Sequence, residues 1–504
     1  MENIPEINCT MRSIIRIENH PYLFDHSVEG RAVYPAVESL ERLAEAVTSG
    51  CPGRKVMNSC DAEFLRFLVL PAEKSSAEVV ADIETKENGE VTASIGTFVR
   101  APGVSISRIR EHARVTFSDI PPPVPIPLDI ACAGEGLCYA VTAERLYKEM
   151  VKFGASFHNA VGTVFLFHDG AVATLQAPVI GIPNPPLGSP FVLDAAFHVA
   201  SAWGQRYRGY IAFPVGYAVR TIIHPAIAGE SYFCRVIPMA DEADTLVFDI
   251  WIYDKNGELC EAVSGVRMKD VFKNKIQVPE WVIDIGTDKL RVIKERSMGM
   301  SVVELASILP FAENILSPHE LEIVRRRHPG KRNMHIGARI ALKRLSRILY
   351  RTGVPDDPSL IETIAPDGIH PACVPSGNKQ GFYCSASHDD RFAVAVGGNH
   401  PIGVDVERIK DTLLKGTHVY MTSSEQALCA RSPLGQKHAA IRVWTTKECA
   451  AKALDIPIAA MWFRAELKEI KEDRSIVSIE GKAVEAAHTA VDDHLFTVLQ
   501  IPGA

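Results

Sequence analysis

The 504-residue sequence predicts an α+β protein of more than one domain. Two observations carry that prediction. Single helix-period stretches recur, each set among several strand-like runs, and at roughly 100 to 200 residues per domain the length calls for about three compact units. A composition that is 47% hydrophobic and 23% charged lets each unit bury a core. With 54 basic and 61 acidic side chains the formal net charge is -7, which excludes a nucleic-acid binder built on a global basic field. No run approaches the roughly 18 apolar residues of a membrane-spanning helix. The opening "MENIPEINCTMRS" has two glutamates and no apolar core, so no secretory signal is expected. Eleven cysteines without a Cys-x-x-Cys pair predict neither a disulfide framework nor a zinc knuckle, and a cytoplasmic setting is expected.

Two segments punctuate the chain: the proline-rich "SDIPPPVPIPLD", residues 118 to 129, and the aperiodic stretch 271 to 301. They predict units at 1–118 and 119–275, a linker at 276–297 and a third unit at 298–504. In the first unit, "PAVESLERLAEAVTSG" predicts a helix. Pro35 stands at its start, Val37, Leu40, Leu43, Ala44 and Val47 form its apolar stripe, and Gly50 closes it. The runs "EFLRFLVLP", "SAEVVADIET" and "EVTASIGTFVR" predict strands around it. The second unit repeats the plan: "SPFVLDAAFHVASAWGQRY" is one mainly apolar helix among runs such as "TLVFDIWIYD". The third has helical stretches "HIGARIALKRLSRIL" and "VWTTKECAAKAL" with strand runs "QGFYCSASH", "RFAVAVGG" and "IGVDVER".

In the third unit "GVDVER" and "WTTKECAAK" stand out. Strand residues two apart point the same way, so Asp405 and Glu407 share a face; helix residues four apart do too, so Glu448 and Lys452 stand together. Three carboxylates and a lysine suit a hard divalent cation on phosphate oxygens. Each fragment alone reads equally as a surface strand or an ordinary ion pair. Together, Gly403 to Glu407 and Trp444 to Lys452, with "SASH" (Ser385 to His388), "HPACVPSG" (370–377) and the Arg339 helix, resemble the 4′-phosphopantetheinyl transferases. The resemblance covers about 298–504 and implies a pseudo-two-fold α+β domain. It further implies that Asp405, Glu407 and Glu448 hold Mg2+ and that Arg339, Ser387, His388 and Lys452 contact coenzyme A. Lys452 helps neutralise the leaving group, and Glu448 is the base for the serine hydroxyl of an acyl carrier protein. His370 replaces a basic residue common before the proline of this motif. The basic run "RRRHPGKR", residues 325 to 332, fits coenzyme phosphates or an acidic carrier protein, or is a solvated charged face.

In the first two units "HSVEGRAVYP" puts His26 ahead of Gly30 and a helix start, where an imidazole could act as base beside helix N–H groups. "LDAAFH" sets Asp194 and His198 four apart on an apolar helix, where desolvation is expected to raise the carboxyl pKa and keep it protonated as an acid. Each reads equally as a structural turn or a buried hydrogen bond. "HPYLFDHSVEGRAVYP", "YKEMVKFGASFHNAVG" and "SPFVLDAAFH" resemble the motifs of polyketide synthase dehydratases, although Lys152 to Phe157 lacks that family's usual Tyr and Pro. This resemblance, over about 10–275, implies a double hotdog. His26 would remove the α-proton of a β-hydroxyacyl thioester, Asp194 would protonate the leaving hydroxyl, and His198 would orient Asp194. The expectation is a bifunctional enzyme acting on acyl carrier proteins of a polyketide or polyunsaturated fatty acid synthase, with no nucleic-acid or membrane partner. A non-catalytic carrier-binding module and a product-template-like cyclase are the alternatives for the hotdog half.

Overall fold

The stripe Val37, Leu40, Leu43, Ala44 and Val47 forms one face of helix α1 (Ala36–Gly50), and each member is at most 3% exposed. Pro35 precedes it in extended conformation. The computed structural model describes residues 7–100, 107–120, 128–242, 244–273, 275–284, 286, 288–350, 353–365, 367, 370–373 and 381–502. The second long helix, α2 (Pro190–Arg208), is buried on all sides over its first four turns, as an apolar helix at the centre of a core must be. Gly209, with φ 73°, ends it in the left-handed conformation.

Both helices belong to one unit, residues 1–126 and 138–284, around a single antiparallel 12-stranded sheet. Its two halves follow the same plan. In the first, strand Ile7–Glu18 and α1 are followed by Asn58–Phe64 and a meander of Ser76–Lys86, Val91–Arg100 and Ser107–Phe117. In the second, the hairpin Ala160–Phe167 and Gly170–Gln176 and then α2 are followed by Phe213–Ile222 and a meander of Ser231–Glu242, Thr245–Tyr253 and Leu259–Lys269. In each half the meander lies in reverse order outward from the strand after the helix. The halves join where Phe213–Ile222 pairs with Asn58–Phe64, Arg220 opposite Ser59. This is a double hotdog, a duplication invisible residue by residue but plain in topology.

The other unit comprises residues 127–137 and 285–504. It is a pseudo-duplicate of helix on sheet. Helix α3 (Pro329–Leu349) packs on the three-stranded sheet Gly299–Glu304, Phe392–Gly398 and Tyr383–His388. Helix α4 (Gln436–Leu454) packs on a five-stranded sheet that begins with Ile402–Arg408. The strands carrying Ser387 and Asp405 lie side by side.

Three expectations differ in place. Residues 127–137, expected in the second hotdog, count with the transferase-like unit. There Arg344 donates to the carbonyls of Asp129, Ala133 and Gly134, and Glu135 accepts from Ser301 Oγ and the Val302 N–H. The 276–297 stretch is more than a linker: Val282 lies in the hotdog core, and Leu290 and Ile293 in the core of the other unit. The run "EFLRFLVLP", residues 63–71, is not one strand: it takes in the last two residues of Asn58–Phe64 and the short strand Leu68–Val69. Residues 121–127 of the proline-rich segment and 374–377 of "HPACVPSG" lie outside the described residues. Among the described residues no helix is long and apolar enough to cross a membrane.

Candidate active sites

A cavity of about 770 Å³ in the hotdog unit is lined by His26 from the first half and by Asp194 and His198 from α2. His26 ends the single turn Pro21–Asp25, and its Nδ1 lies 2.7 Å from the Val33 carbonyl oxygen. A carbonyl only accepts, so Nδ1 carries the hydrogen and the Nε2 lone pair is left free, as a base requires. The ring stacks on Phe153 at 4.4 Å and touches Phe157 at 5.0 Å. Burial lowers its pKa below the ordinary 6.5, so the imidazole is neutral at neutral pH.

Asp25, just before His26, holds the facing loop. Its Oδ2 accepts from the Ser156 N–H at 2.9 Å and the Ser156 hydroxyl at 2.6 Å, and its carbonyl from the Gly154 N–H at 2.7 Å. A Cβ at Gly154 would lie 2.4 Å from that carboxylate, so only glycine fits. The loop that departs from the family pattern is thereby locked against the base. Sequence reading missed Asp25; its one signal was an acidic residue adjoining the candidate base.

Asp194 Oδ2 lies 3.1 Å from His198 Nε2, and both residues are buried. Burial does raise the carboxyl, but His198 and then His26 outweigh it, and the net pKa falls below the ordinary value. The expectation of a carboxyl kept protonated by desolvation is therefore corrected. It weighed the apolar helix above His198, one turn along the same helix, and left out His26, which only folding brings within reach.

In the other unit, strand alternation sorts the "SASH" residues. Ser385 and Ser387 face the neighbouring strand: Ser385 Oγ accepts the Val404 N–H at 3.1 Å and Ser387 donates to Asp405 Oδ1 at 2.8 Å. His388 faces the other way, into a cavity of about 230 Å³ also lined by His335, Arg339 and Arg327. Ser387, expected on the coenzyme side, thus spends its hydroxyl on Asp405. Arg339 donates to the carbonyl and hydroxyl oxygens of Thr363. His335, one turn before Arg339, contacts the His388 ring at 4.9 Å, and burial followed by the surrounding cations pushes its pKa down to about 4. His370 is gripped by Asp367 and Asp455, the first of which most raises its pKa.

The remaining site residues meet where α4 crosses the strand Ile402–Arg408. Gly403 permits the crossing, because a Cβ there would lie 1.9 Å from the Cys449 carbonyl oxygen. Lys452 donates to Asp405 Oδ1 and the Val404 carbonyl, each at 3.0 Å, and lies 3.8 Å from Glu448. Burial opposes its charge, but Asp405 and Glu448 raise its pKa overall. Lys447, its neighbour in the motif, is buried and bonds to Glu425 and to the carbonyls of Tyr420 and Trp462, a structural role.

The three carboxylates fit a divalent cation on chemical grounds. Asp405 Oδ2 is buried without a hydrogen-bond partner. Burial, then Asp405 and Glu448, raise Glu407 to about 7. Burial most of all, with Asp405, raises Glu448 against the pull of Lys452. Negative charge is thus packed beyond what one ammonium offsets. Among the described residues, the one set of three whose ligand atoms all lie within 4.8 Å of one another is different: Asp389, Asp390 and His494. There Arg408 and Lys410 face Asp390, and His494 already bridges Asp389 and Asp493.

Fold and sites together define a class: a fusion resembling a polyketide synthase dehydratase joined to a 4′-phosphopantetheinyl transferase. Residues 140–275 match the polyketide synthase dehydratase N-terminal domain family, and residues 401–499 match the 4′-phosphopantetheinyl transferase superfamily. Over 208 residues the chain is 27% identical to the highly reducing polyketide synthase acrA of Aspergillus aculeatus, covering 37% of this chain and 8% of that protein. Over 86 residues it is 32% identical to the 4′-phosphopantetheinyl transferase gsp of Aneurinibacillus migulanus, covering 16% of this chain and 36% of that protein. The chain thus spans a small part of the first relative and about a third of the second. Similar solved structures include the dehydratase domain of RzxB from Pseudomonas fluorescens, 17% identical over 51% of this chain and 94% of that one, with TM-score 0.41. Another is the dehydratase domain of the CurF module of curacin polyketide synthase, 20% identical over 53% of this chain and 96% of that one, with TM-score 0.40.

Proposed function

We propose that the chain is a bifunctional enzyme of polyketide or polyunsaturated fatty acid assembly. One unit moves 4′-phosphopantetheine from coenzyme A to a serine of an acyl carrier protein, and the other dehydrates the β-hydroxyacyl chain that rides on that arm. The observation that most supports this reading is the single cavity shared by a neutral imidazole and an ionised carboxylate from opposite halves of the double hotdog.

For dehydration, His26 Nε2 takes the α-proton and the electron pair forms the new double bond as the bond to the β-oxygen breaks. Asp194 enters the reaction ionised, so the proton that the departing hydroxyl needs is the one His26 has just taken. The His26 imidazolium, its charge stabilised by the carboxylate of Asp194 that His198 orients, gives that proton to the leaving oxygen as water forms, so both side chains end as they began. The apolar wall of Phe153 and Phe157 keeps bulk water from the base.

For transfer, Asp405, Glu407 and Glu448 would hold Mg2+, whose contribution is to offset charge on the pyrophosphate of coenzyme A. Arg339, His388 and Arg327 line the cavity that would receive the remaining phosphate-bearing part. Glu448, its pKa raised by burial, accepts the carrier serine proton, and Lys452 faces the charge that develops on the leaving 3′,5′-ADP. The test is mass spectrometry on carrier protein. Wild type should add phosphopantetheine to apo carrier in a chelator-sensitive way and remove one water from β-hydroxyacyl carrier. His26→Ala should stop the second reaction. Dehydration that survives in His26→Ala, or transfer that survives complete chelation, would overturn the corresponding half.

A further inference from the structure

We infer that Tyr147 is a positioning residue of the dehydration site, which sets His198 in the tautomer opposite to that of His26. The inference rests on the dehydration reading of the cavity and adds to it a residue outside the His and Asp motifs.

Tyr147 is buried at the start of the short helix Leu146–Met150. Its phenolic oxygen accepts the Ala160 backbone N–H at 2.8 Å and lies 3.3 Å from His198 Nδ1. A phenol has one hydrogen. Its oxygen is already an acceptor for Ala160, so that hydrogen is free to go to His198 Nδ1. A ring nitrogen that accepts carries no hydrogen in the neutral imidazole, which puts the His198 proton on Nε2, the atom 3.1 Å from Asp194 Oδ2. A directed pair of hydrogen bonds results, Ala160 N–H to Tyr147 and Tyr147 O–H to His198, and it leaves the Nε2 hydrogen on the side of the ring that faces Asp194 Oδ2.

The two histidines of the cavity are thereby made unlike by their partners. A carbonyl, Val33, takes the Nδ1 hydrogen of His26 and bares Nε2 as a base. A hydroxyl, Tyr147, gives a hydrogen to Nδ1 of His198 and makes Nε2 a donor. If His198 adopted the other tautomer, a bare Nε2 would face the carboxylate oxygen 3.1 Å away, lone pair against lone pair. The Tyr147 ring is held in place by stacking on His158 at 4.3 Å, and His158 in turn bonds through Nε2 to the Phe153 carbonyl at 2.8 Å. The tyrosine is therefore tied to the same loop that packs on His26.

The test is nitrogen NMR of the full-length protein labelled with 15N-histidine, the His198 signals being assigned by their loss in His198→Gln. The wild type should show His198 protonated at Nε2 and bare at Nδ1. Tyr147→Phe should populate the other tautomer and lower kcat for dehydration about tenfold, the worth of one hydrogen bond to a reacting group, with KM little changed. A wild-type His198 protonated at Nδ1, whether there alone or at both nitrogens, would overturn the inference, as would a tautomer unmoved by Tyr147→Phe. The spectra need no substrate, so they decide this point even if dehydration itself is not observed, and the wild-type spectrum decides it even if the variant does not fold.

Discussion

His26 has its base atom chosen by one carbonyl oxygen and its charge state chosen by burial. The sign of the resulting pH dependence follows. The folded pKa lies below 6.5, so the neutral base persists through neutral pH and is lost only as pH falls through that lowered value. The kcat/KM profile for dehydration should therefore be flat around pH 7 with its acid limb centred below 6.5. An acid limb centred at or above 6.5 would contradict the burial argument. Lys447 shows the same physics in a structural role. Glu425 also accepts the Thr422 and Leu467 N–H groups, and removing the ammonium would leave a buried charge without its counter-ion. Lys447→Met should cost about 3–5 kcal/mol in denaturant unfolding of that unit, while Lys452→Met, at a partly exposed site, should mainly lose transfer activity.

At the scale of elements, the proposed transfer site depends on α4 lying directly on the strand Ile402–Arg408. Gly403 is the residue that allows it. Gly403→Ala must push helix and strand apart, separating Asp405 and Glu407 from Glu448 and Lys452 without altering any of them. The expected cost is about 1–3 kcal/mol of stability and about 100-fold in transfer rate, as for misplacement of reacting groups by about 1 Å. Thermal unfolding and single-turnover transfer measure the two. In the hotdog unit the corresponding device is the Asp25 clasp on Ser156 and Gly154. It explains how a loop lacking the family's Tyr and Pro still presents an aromatic wall, Phe153 and Phe157, to the base. The helices themselves were legible in advance, since α1 and α2 follow their apolar spacing. The direction of Ser387 was legible in principle from strand alternation, once the neighbouring strand is known.

At the scale of the whole chain, the two proposed reactions share one substrate arm. The phosphorus attacked during transfer is remote from the thiol, so an acylated coenzyme should serve as donor. Given apo carrier protein, Mg2+ and β-hydroxyacyl coenzyme A, the wild type should yield enoyl carrier. His26→Ala should stop at the hydroxyacyl carrier, with dehydration down at least about 100-fold, and Glu448→Ala should leave the carrier unmodified. Intact-protein mass spectrometry separates the three outcomes, and hydroxyacyl carrier accumulating in the wild type would argue that the hotdog unit binds without chemistry.

By itself the sequence determined what depends on neighbours along the chain: the helix stripes, the alternating strand faces, the pairing of Glu448 with Lys452 and of Asp194 with His198, and the motif resemblances that point to two chemistries. Only the tertiary structure decided what depends on neighbours in space. It showed the duplicated strand order, the docking of residues 127–137 on Arg344, the service of Ser387 to Asp405 and the lowered pKa of Asp194. The physical reason is that periodicity is a property of adjacent residues. The charge and tautomer of a buried group are set by whichever dipoles and ions surround it, and these include near neighbours, such as Val33 for His26, and distant ones that only folding supplies, such as His26 for Asp194.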